Sequence, residues 1–531
     1  EGDLLTSMHK ADTAVEEEPE MTDRDIANER RRAMFSGNPK KRMRALDTKI
    51  EKEKMKVKKN TSVIIQLQTM EGENTGPEIQ IDTATTTEQL EEILNQLVEC
   101  NDPQQYAFYS NAVEIMSDVH DFLKANNMGT EKMMTIKYQP LSLFKVRPVT
   151  RCSHDMPGHT DSIIHVSFSP DGEILASGGG DTTVRFWDIY TATPVHVMRG
   201  HKHHVLETVW SPDGKFFASA DFNGEVRLWD PKKGEQIGAA IKAHAKWITG
   251  MVWQPHHLNA NCDVFATCSK DKLAKVYNAR TRRKLTTLAG HTDSVEDIRW
   301  GGTGLIYTGS RDRTIKVWRL DDKNRGIIVR TLVGHAHRVN TLALNCDYVC
   351  RTGAFSHTQR DPDEPADVLF KAACARYEET RRSLGKEVLV SGSDDFTMYM
   401  WEPEVSKKHM TRLTGHQNLI NHINFSPDGR YIASAGFDKK VKVWDGHTGK
   451  FVATLNGHVD YVYQVVWSAD SRMLISGSKD STCKVWQMSN LKRAKVTLSG
   501  HEDEVFTLDW APNGERLASG SRDRMIKIWQ N

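Results

Sequence analysis

Histidine, serine or threonine, and aspartate recur together along this chain. One set is His159, Ser177 and Asp181; others are His416, Ser434 and Asp438, and His501, Ser519 and Asp523. A base, a hydroxyl and an orienting carboxylate are the cast of a hydrolase triad. Yet the motif starts eight times, at His159, His201, His244, His291, His335, His416, His458 and His501. In the most regular copies the hydroxyl and carboxylate stand ten and six residues before an aromatic: Trp187, Trp444 and Trp529. A reaction needs one such set. Repetition in register points to something each unit of the fold requires.

The surrounding residues define that unit. From Gly415-His416 it runs through an alternating apolar stretch to Ser426-Pro427-Asp428-Gly429. A second short run, Ile432 to Ala435, then leads through Asp438 to Val441-Lys442-Val443-Trp444-Asp445. Period-two alternation broken by Asp/Gly turns makes short antiparallel strands. The units end at Trp187, Trp229, Tyr277, Trp318, Trp401, Trp444, Trp486 and Trp529, and five of the eight have 28 residues from His to aromatic. A period of roughly 40–45 residues with GH and WD markers predicts a propeller of four-stranded blades. One sheet alone leaves both faces wet; stacking in a ring buries them. The units resemble WD-repeat proteins. That resemblance implies a structural hydrogen-bond network, Trp to Ser/Thr to His to Asp, in place of catalysis. Asn223, Tyr277 and Ala243 depart from the pattern and predict less tightly tied blades.

The predicted fold is therefore mostly β, an eight-bladed propeller over residues 158–531. The last unit stops after its third strand, so a strand from before the first unit is expected to close the ring. Residues 141–157 hold the linker and that strand, with the alternating Phe144 to Thr150 as the candidate. The fifth unit is interrupted: 66 residues separate His335 from Trp401. The extra segment, about 345–386, predicts a loop with one amphipathic helix from Ala366 to Leu384. Its stripe is Leu369, Ala373, Tyr377 and Leu384, and Gly385 is a stop signal. Such an insertion is either inert or a contact element for a partner.

The net charge of +1 over 531 residues gives no long-range steering argument. No stretch of 18 apolar residues occurs, and neither a membrane span nor a signal peptide is expected. The eight cysteines form no C-x-x-C pair, which favours free thiols. Gly178-Gly179-Gly180 runs into Asp181, a turn and not a phosphate cradle, and no H-E-x-x-H occurs. The expectation is a non-enzyme without a small-molecule substrate. The chain starts at Glu1, consistent with truncation or processing.

Residues 1–60 read as a disordered arm, acidic over 1–23 and basic over 24–59. A solvated tail is one reading. Nuclear localisation or contact with RNA phosphates is the other, carried by Arg30-Arg31-Arg32 and Lys40-Lys41-Arg42. Residues 61–140 form an α+β module. Thr61 to Thr69 is a strand, and Ile79 and Ile81 mark a second. Thr85-x-x-Glu88 is a capping box opening a helix with Leu90, Ile93, Leu94, Leu97 and Val98 on one face. Tyr106 to Tyr109 and Met134 to Tyr138 complete the sheet. The order resembles the ubiquitin-like β-grasp. Ser110-Asn111-Ala112 projects Glu114 from a loop, flanked by Val113 and Ile115. Taken alone, Glu114 reads as an ordinary carboxylate opening the helix that follows.

The combination of this module, Phe144-Lys145-Val146-Arg147-Pro148-Val149-Thr150-Arg151-Cys152 and an interrupted eight-unit array resembles the Notchless family of ribosome-assembly factors. The matching stretches include Lys246-Trp247-Ile248-Thr249-Gly250 and Arg351-Thr352-Gly353-Ala354-Phe355. The resemblance covers about residues 61–531. It implies a factor that matures the large ribosomal subunit in the nucleolus and nucleoplasm. The propeller would dock on the pre-ribosome, a particle of ribosomal RNA and assembly factors. The module would bind midasin, an AAA ATPase with an integrin-like, metal-ion-dependent adhesion site. Glu114 matches the acidic residue that completes that divalent cation, expected to be magnesium, and Asn111, Val113 and Ile115 would flank the contact. An adaptor or scaffold in ubiquitin-type signalling is the alternative.

Overall fold

The computed structural model describes residues 62–98, 104–111, 113–115, 118–126, 133–141, 144, 146–356, 360 and 362–531. The readings for the 1–60 arm lie outside these residues. The chain divides into two compact units. The larger takes in Gln66–Pro77, Glu91–Ile115 and Thr135–Asn531; the smaller includes Glu78–Leu90 and Met116–Met134.

The N-terminal sheet consists of β1 (Ser62–Thr69), β2 (Ile79–Asp82), β3 (Tyr106–Ser110), β4 (Val113–Glu114) and β5 (Met134–Pro140). Their spatial order is β2-β1-β5-β3-β4, that of a β-grasp. Alternation places Val63, Ile65 and Leu67 inside, each no more than 1 % exposed. Helix α1 (Thr87–Val98) turns Leu90 and Leu94 inward. Its capping box lies one residue later than the sequence suggests. Thr86 Oγ1 accepts from the Gln89 N–H, and Gln89 Oε1 accepts from the Thr86 N–H at 3.1 Å. Thr85 instead turns its hydroxyl back to the Asp82 carbonyl, 2.6 Å away. A short helix, α2 (Val119–Ala125), follows β4.

Among the described residues the rest of the chain forms eight propeller sheets. Each has four antiparallel strands, except the second, whose outer edge is split between Glu235–Gln236 and Ile241–Lys242. The innermost strand of every sheet slips register by one residue near its start, as between Val205 and Glu207 or Val295 and Asp297. A bulge of this kind re-aims the extra residue. Here Leu206, Thr249, Glu296 and their counterparts line the central channel, a cavity of about 510 Å³.

The ring closes with β6 (Arg151–Pro157), which pairs antiparallel with the last strand, Met525–Gln530. The closing strand thus begins just after the Phe144 to Thr150 segment that its alternation had singled out. That segment has another task. Val149 is fully buried in the core of the last two blades with Val146 packed beside it, and the Val146 N–H donates to Asp470 Oδ2 at 2.8 Å. Backbone ladder bonds, not an apolar stripe, hold β6; Met156 is its one deeply buried side chain.

The His/Ser/Asp sets form the interior wiring of the blades. In the first blade Trp187 Nε1–H donates to Ser177 Oγ at 2.8 Å, Ser177 Oγ lies 2.8 Å from His159 Nε2, and His159 Nδ1 lies 3.0 Å from Asp181. The sixth blade repeats this with Trp444, Ser434, His416 and Asp438, and the eighth with Trp529, Ser519, His501 and Asp523. A carboxylate at Nδ1 fixes the tautomer with Nε2 as acceptor, so the serine donates to Nε2 while it accepts from Trp. Ser177, Ser434 and Ser519 are fully buried with both roles committed, which removes them as nucleophiles.

The second blade corrects one assignment. The carboxylate on His201 is Asp221 at 3.1 Å; Asn223 stands two residues beyond, in the turn. In the third blade Tyr277 cannot reproduce the indole N–H. Its hydroxyl donates to the Ala243 carbonyl at 3.2 Å, while His244 keeps Thr267 and Asp271 at 2.9 and 2.8 Å.

The eight network aspartates share one electrostatic condition. Burial alone would raise their carboxyl pKa, but the histidine and backbone N–H donors outweigh it and hold all eight low. A depressed carboxyl contributes stability that is present above the unfolded value, about 3.9, and lost as pH falls below it. The propeller is expected to lose stability steeply and cooperatively below about pH 4. Circular dichroism across an acid titration checks this; a midpoint in denaturant unchanged from pH 6 to pH 3 would contradict it.

Candidate partner-binding site

Glu114 sits on a hairpin. Ser110 pairs with Val113 and Tyr109 with Glu114. Asn111 takes φ +49°, the left-handed region that asparagine tolerates in such turns. Glu114 therefore stands on a two-residue strand, β4, and not on an open loop or at the start of a helix. Ile115 is 2 % exposed and its N–H donates to the Phe108 carbonyl at 2.8 Å, which anchors the hairpin. Asn111 is exposed, and Val113 and Glu114 are half-buried.

Glu114 and Arg430 belong to the same, larger unit, and there the two are paired. Arg430 follows Ser426-Pro427-Asp428-Gly429, the turn of the sixth blade. Its Nη2 donates to Glu114 Oε1, its Nε donates to the Tyr109 hydroxyl at 3.0 Å, and its guanidinium carbon lies 5.2 Å from the Tyr431 ring centroid. The Tyr431 hydroxyl is 3.5 Å from Glu114 Oε2. The two charged side chains are 13 % and 15 % exposed. Burial pushes the Glu114 carboxyl above its ordinary range against the opposing pull of Arg430. Burial would lower the Arg430 guanidinium, yet Tyr109, Asp428 and Glu114 around it raise it. Below the pair, His447 packs edge-on to Tyr109 at 5.2 Å and bonds Gln139 Oε1 at 3.2 Å. No pattern within the hairpin points to this cover, because Arg430 lies 316 positions away.

The fifth-unit insertion is integral to the propeller. Besides the helix α4 (Ala366–Leu384) it contains a second one, α3 (Asp347–Thr352). Leu369, Ala373 and Leu384 are buried as the stripe predicts, and Tyr377 stacks on His257 at 3.7 Å and 7°. Helix α3 supplies Asp347, Tyr348, Cys350 and Arg351 to the wall of the central cavity. There Arg351 pairs with Asp509 at 2.8 Å and the Tyr348 hydroxyl donates to the Pro512 carbonyl at 3.2 Å.

A β-grasp-like module carried in one chain with an eight-bladed WD-repeat propeller defines the class. The NLE (NUC135) domain model matches residues 63–123, and the WD domain, G-beta repeat model matches seven segments between 150 and 530. The interrupted fifth unit is the blade those segments pass over. The chain belongs to the Notchless family. It is 47 % identical over 362 residues to Protein Notchless of Drosophila melanogaster, covering 67 % of this chain and 73 % of that one. It is 41 % identical over 412 residues to Ribosome assembly protein 4 of Saccharomyces cerevisiae, covering 74 % and 79 %. The computationally designed Ika8 protein matches in fold with a TM-score of 0.56 at 23 % identity, covering 71 % of this chain and 98 % of that one.

Proposed function

We propose that this chain is a ribosome-assembly factor of the large subunit, acting in the nucleolus and nucleoplasm. In this reading the propeller docks on the pre-ribosome. The N-terminal module engages the metal-ion-dependent adhesion site of the AAA ATPase midasin, so that ATP hydrolysis there drives remodelling and release of assembly factors. Kinship with proteins named for ribosome assembly supports the first part. The second rests on one observation, a carboxylate on the β3–β4 hairpin that is held by Arg430 in this structure and would have to leave it to reach a partner's cation. A hard divalent cation such as magnesium accepts oxygen ligands, and a partner can supply the last of them. The partner would hold the ion, and Glu114 would lend one carboxylate. An adaptor in ubiquitin-type signalling would instead present an apolar sheet patch. Ile64 is the large apolar side chain that β1 exposes, and single exposed apolar residues are ordinary.

The test is binding of the full chain to the integrin-like domain of the ATPase, with magnesium and with EDTA. Wild type should bind in magnesium and not in EDTA. Glu114→Asp keeps the charge and shortens the reach by one methylene, and should weaken binding about 10- to 100-fold, the worth of one charge-assisted contact. Binding indifferent to both EDTA and the substitution would overturn this reading.

A further inference from the structure

On the propeller face formed by the GH loops, Phe222 and Trp247 stand together and are 43 % and 38 % exposed. Phe222 follows the second strand of blade two; Trp247 precedes the first strand of blade three. Their rings meet edge to face at 4.4 Å. Lys270 reaches over the Trp247 ring, its Nζ 5.7 Å from the centroid, and is held there by Glu296. Backbone bonds fix the platform: the Phe222 N–H donates to the His204 carbonyl at 3.0 Å and the Lys270 N–H to Trp247 at 3.2 Å. Large aromatic surface left in water on a rigid turn costs free energy that a ligand would recover.

The same constellation recurs four blades on. Phe437 stacks on Tyr461 at 4.5 Å and 8°, with Lys479 Nζ 5.5 Å from the Tyr461 centroid. Charge separates the two. Around the first platform, residues 199–204, 221–224, 243–247 and 270–272 carry five basic side chains, Arg199, Lys202, Lys246, Lys270 and Lys272, against Asp221 and Asp271. Both aspartates are engaged inside blades by His201 and His244. Arg199, Lys202, Lys246 and Lys272 are exposed. The matching loops of the second platform carry two basic side chains, Lys439 and Lys479, with Asp460; Asp438 and Asp480 there are engaged by His416 and His458 as in the first.

We infer that the Phe222–Trp247–Lys270 platform binds single-stranded RNA, with a base stacked on the aromatic pair and the flanking basic residues on its phosphates. Every base offers a π-face to an exposed aromatic, and clustered lysines supply the sequence-independent attraction to the backbone. A neutral peptide would use the rings but leave these cations unpaired, and an acidic peptide, which would pair them, is the outcome indicated if the strand below fails to bind. The second platform has the rings with two cations in place of five and serves as an internal control. This inference deepens the pre-ribosome reading by naming RNA as a ligand, and it is independent of the ATPase.

The probe is a fluorescein-labelled 12-nucleotide oligo-U strand, titrated with the full chain at 50 and 200 mM salt. Wild type should bind, and Trp247→Ala should weaken binding about tenfold or more, within what one stacked base supplies. Trp247→Phe should recover most of it. Lys246→Ala and Lys272→Ala should each flatten the dependence on log salt by about 0.7. Tyr461→Ala should bind like wild type. Thermal midpoints of all variants check that the exposed substitutions leave the fold intact. Wild type that fails to bind at tens of micromolar, a Trp247→Ala protein that binds as wild type, or a Tyr461→Ala protein that loses as much would overturn the inference. Association with pre-ribosomes that persists in Trp247→Ala would leave the assembly role standing without this RNA contact.

Discussion

Excising Arg151–Pro157 is expected to unfold the propeller. The deletion removes six ladder pairs with the last strand, from Met525–Pro157 to Gln530–Arg151. It also empties the fully buried site of Met156, a loss of about 2–5 kcal/mol for a large-to-small change alone. Lys527 would lose Asp155, 2.5 Å away, and the eighth sheet would present a bare edge to water. Most domains are stable by about 5–15 kcal/mol, so these losses together consume much or all of it. The measurement is a denaturant titration followed by tryptophan fluorescence, since seven of the eight blade-ending aromatics are Trp. Deleting 144–148 instead should cost less, because it removes Val146 and its bond to Asp470 but leaves the ladder. A deletion of 151–157 with an unchanged midpoint would refute closure by this strand.

Arg430→Ala should have the second largest effect, and it should act in two directions. Removing one member of a buried pair leaves the other charge uncompensated, at a cost of about 3–5 kcal/mol. Glu114 can escape that cost by moving into water, which requires its hairpin to loosen. Amide exchange over residues 106–115 should therefore accelerate in Arg430→Ala and remain near wild type in Arg430→Lys, which keeps the charge. If Glu114 serves a partner's metal, the same substitution should strengthen magnesium-dependent binding to the adhesion-site domain about tenfold or more, because the guanidinium no longer competes for the carboxylate. Faster exchange without tighter binding would separate the pair's structural role from the proposed one. Unchanged exchange would show that Arg430 does not hold the hairpin.

Much of this architecture was legible in the residues. The spacing from His to Trp located each blade, because the network that joins them repeats with the strands. Helix α4 runs over Ala366–Leu384 as its stripe and Gly385 stop indicate. The misplacements share a cause. Phe144 to Thr150 alternates like a strand, but its apolar residues serve the core of the last blades; β6, which closes the ring, is exposed or half-buried along Arg151–Asp155 and carries no such pattern. Counting back from Trp229 selects Asn223, whereas the tight turn there brings Asp221 to His201. Helix α3 has six residues, too short to show a helical period, and Arg351 finds its partner Asp509 far along the chain. Glu114 was visible as a candidate; its cover by Arg430 was not, since tertiary pairs leave no local periodicity.

The joining of β6 to the last strand also sets the order in which this protein can be made. Ser153 reaches the Ile528 carbonyl 375 positions away, so the clasp that ties the ring has no partner until nearly the whole array has left the translation machinery. Until then the growing array has no closed form, and each new blade adds a fresh edge. Loop closure over such a span is slow, and exposed strand edges invite pairing with other chains. Newly made protein is thus at its most vulnerable until the strand Met525–Gln530 has emerged, and its dependence on chaperones should peak just before then.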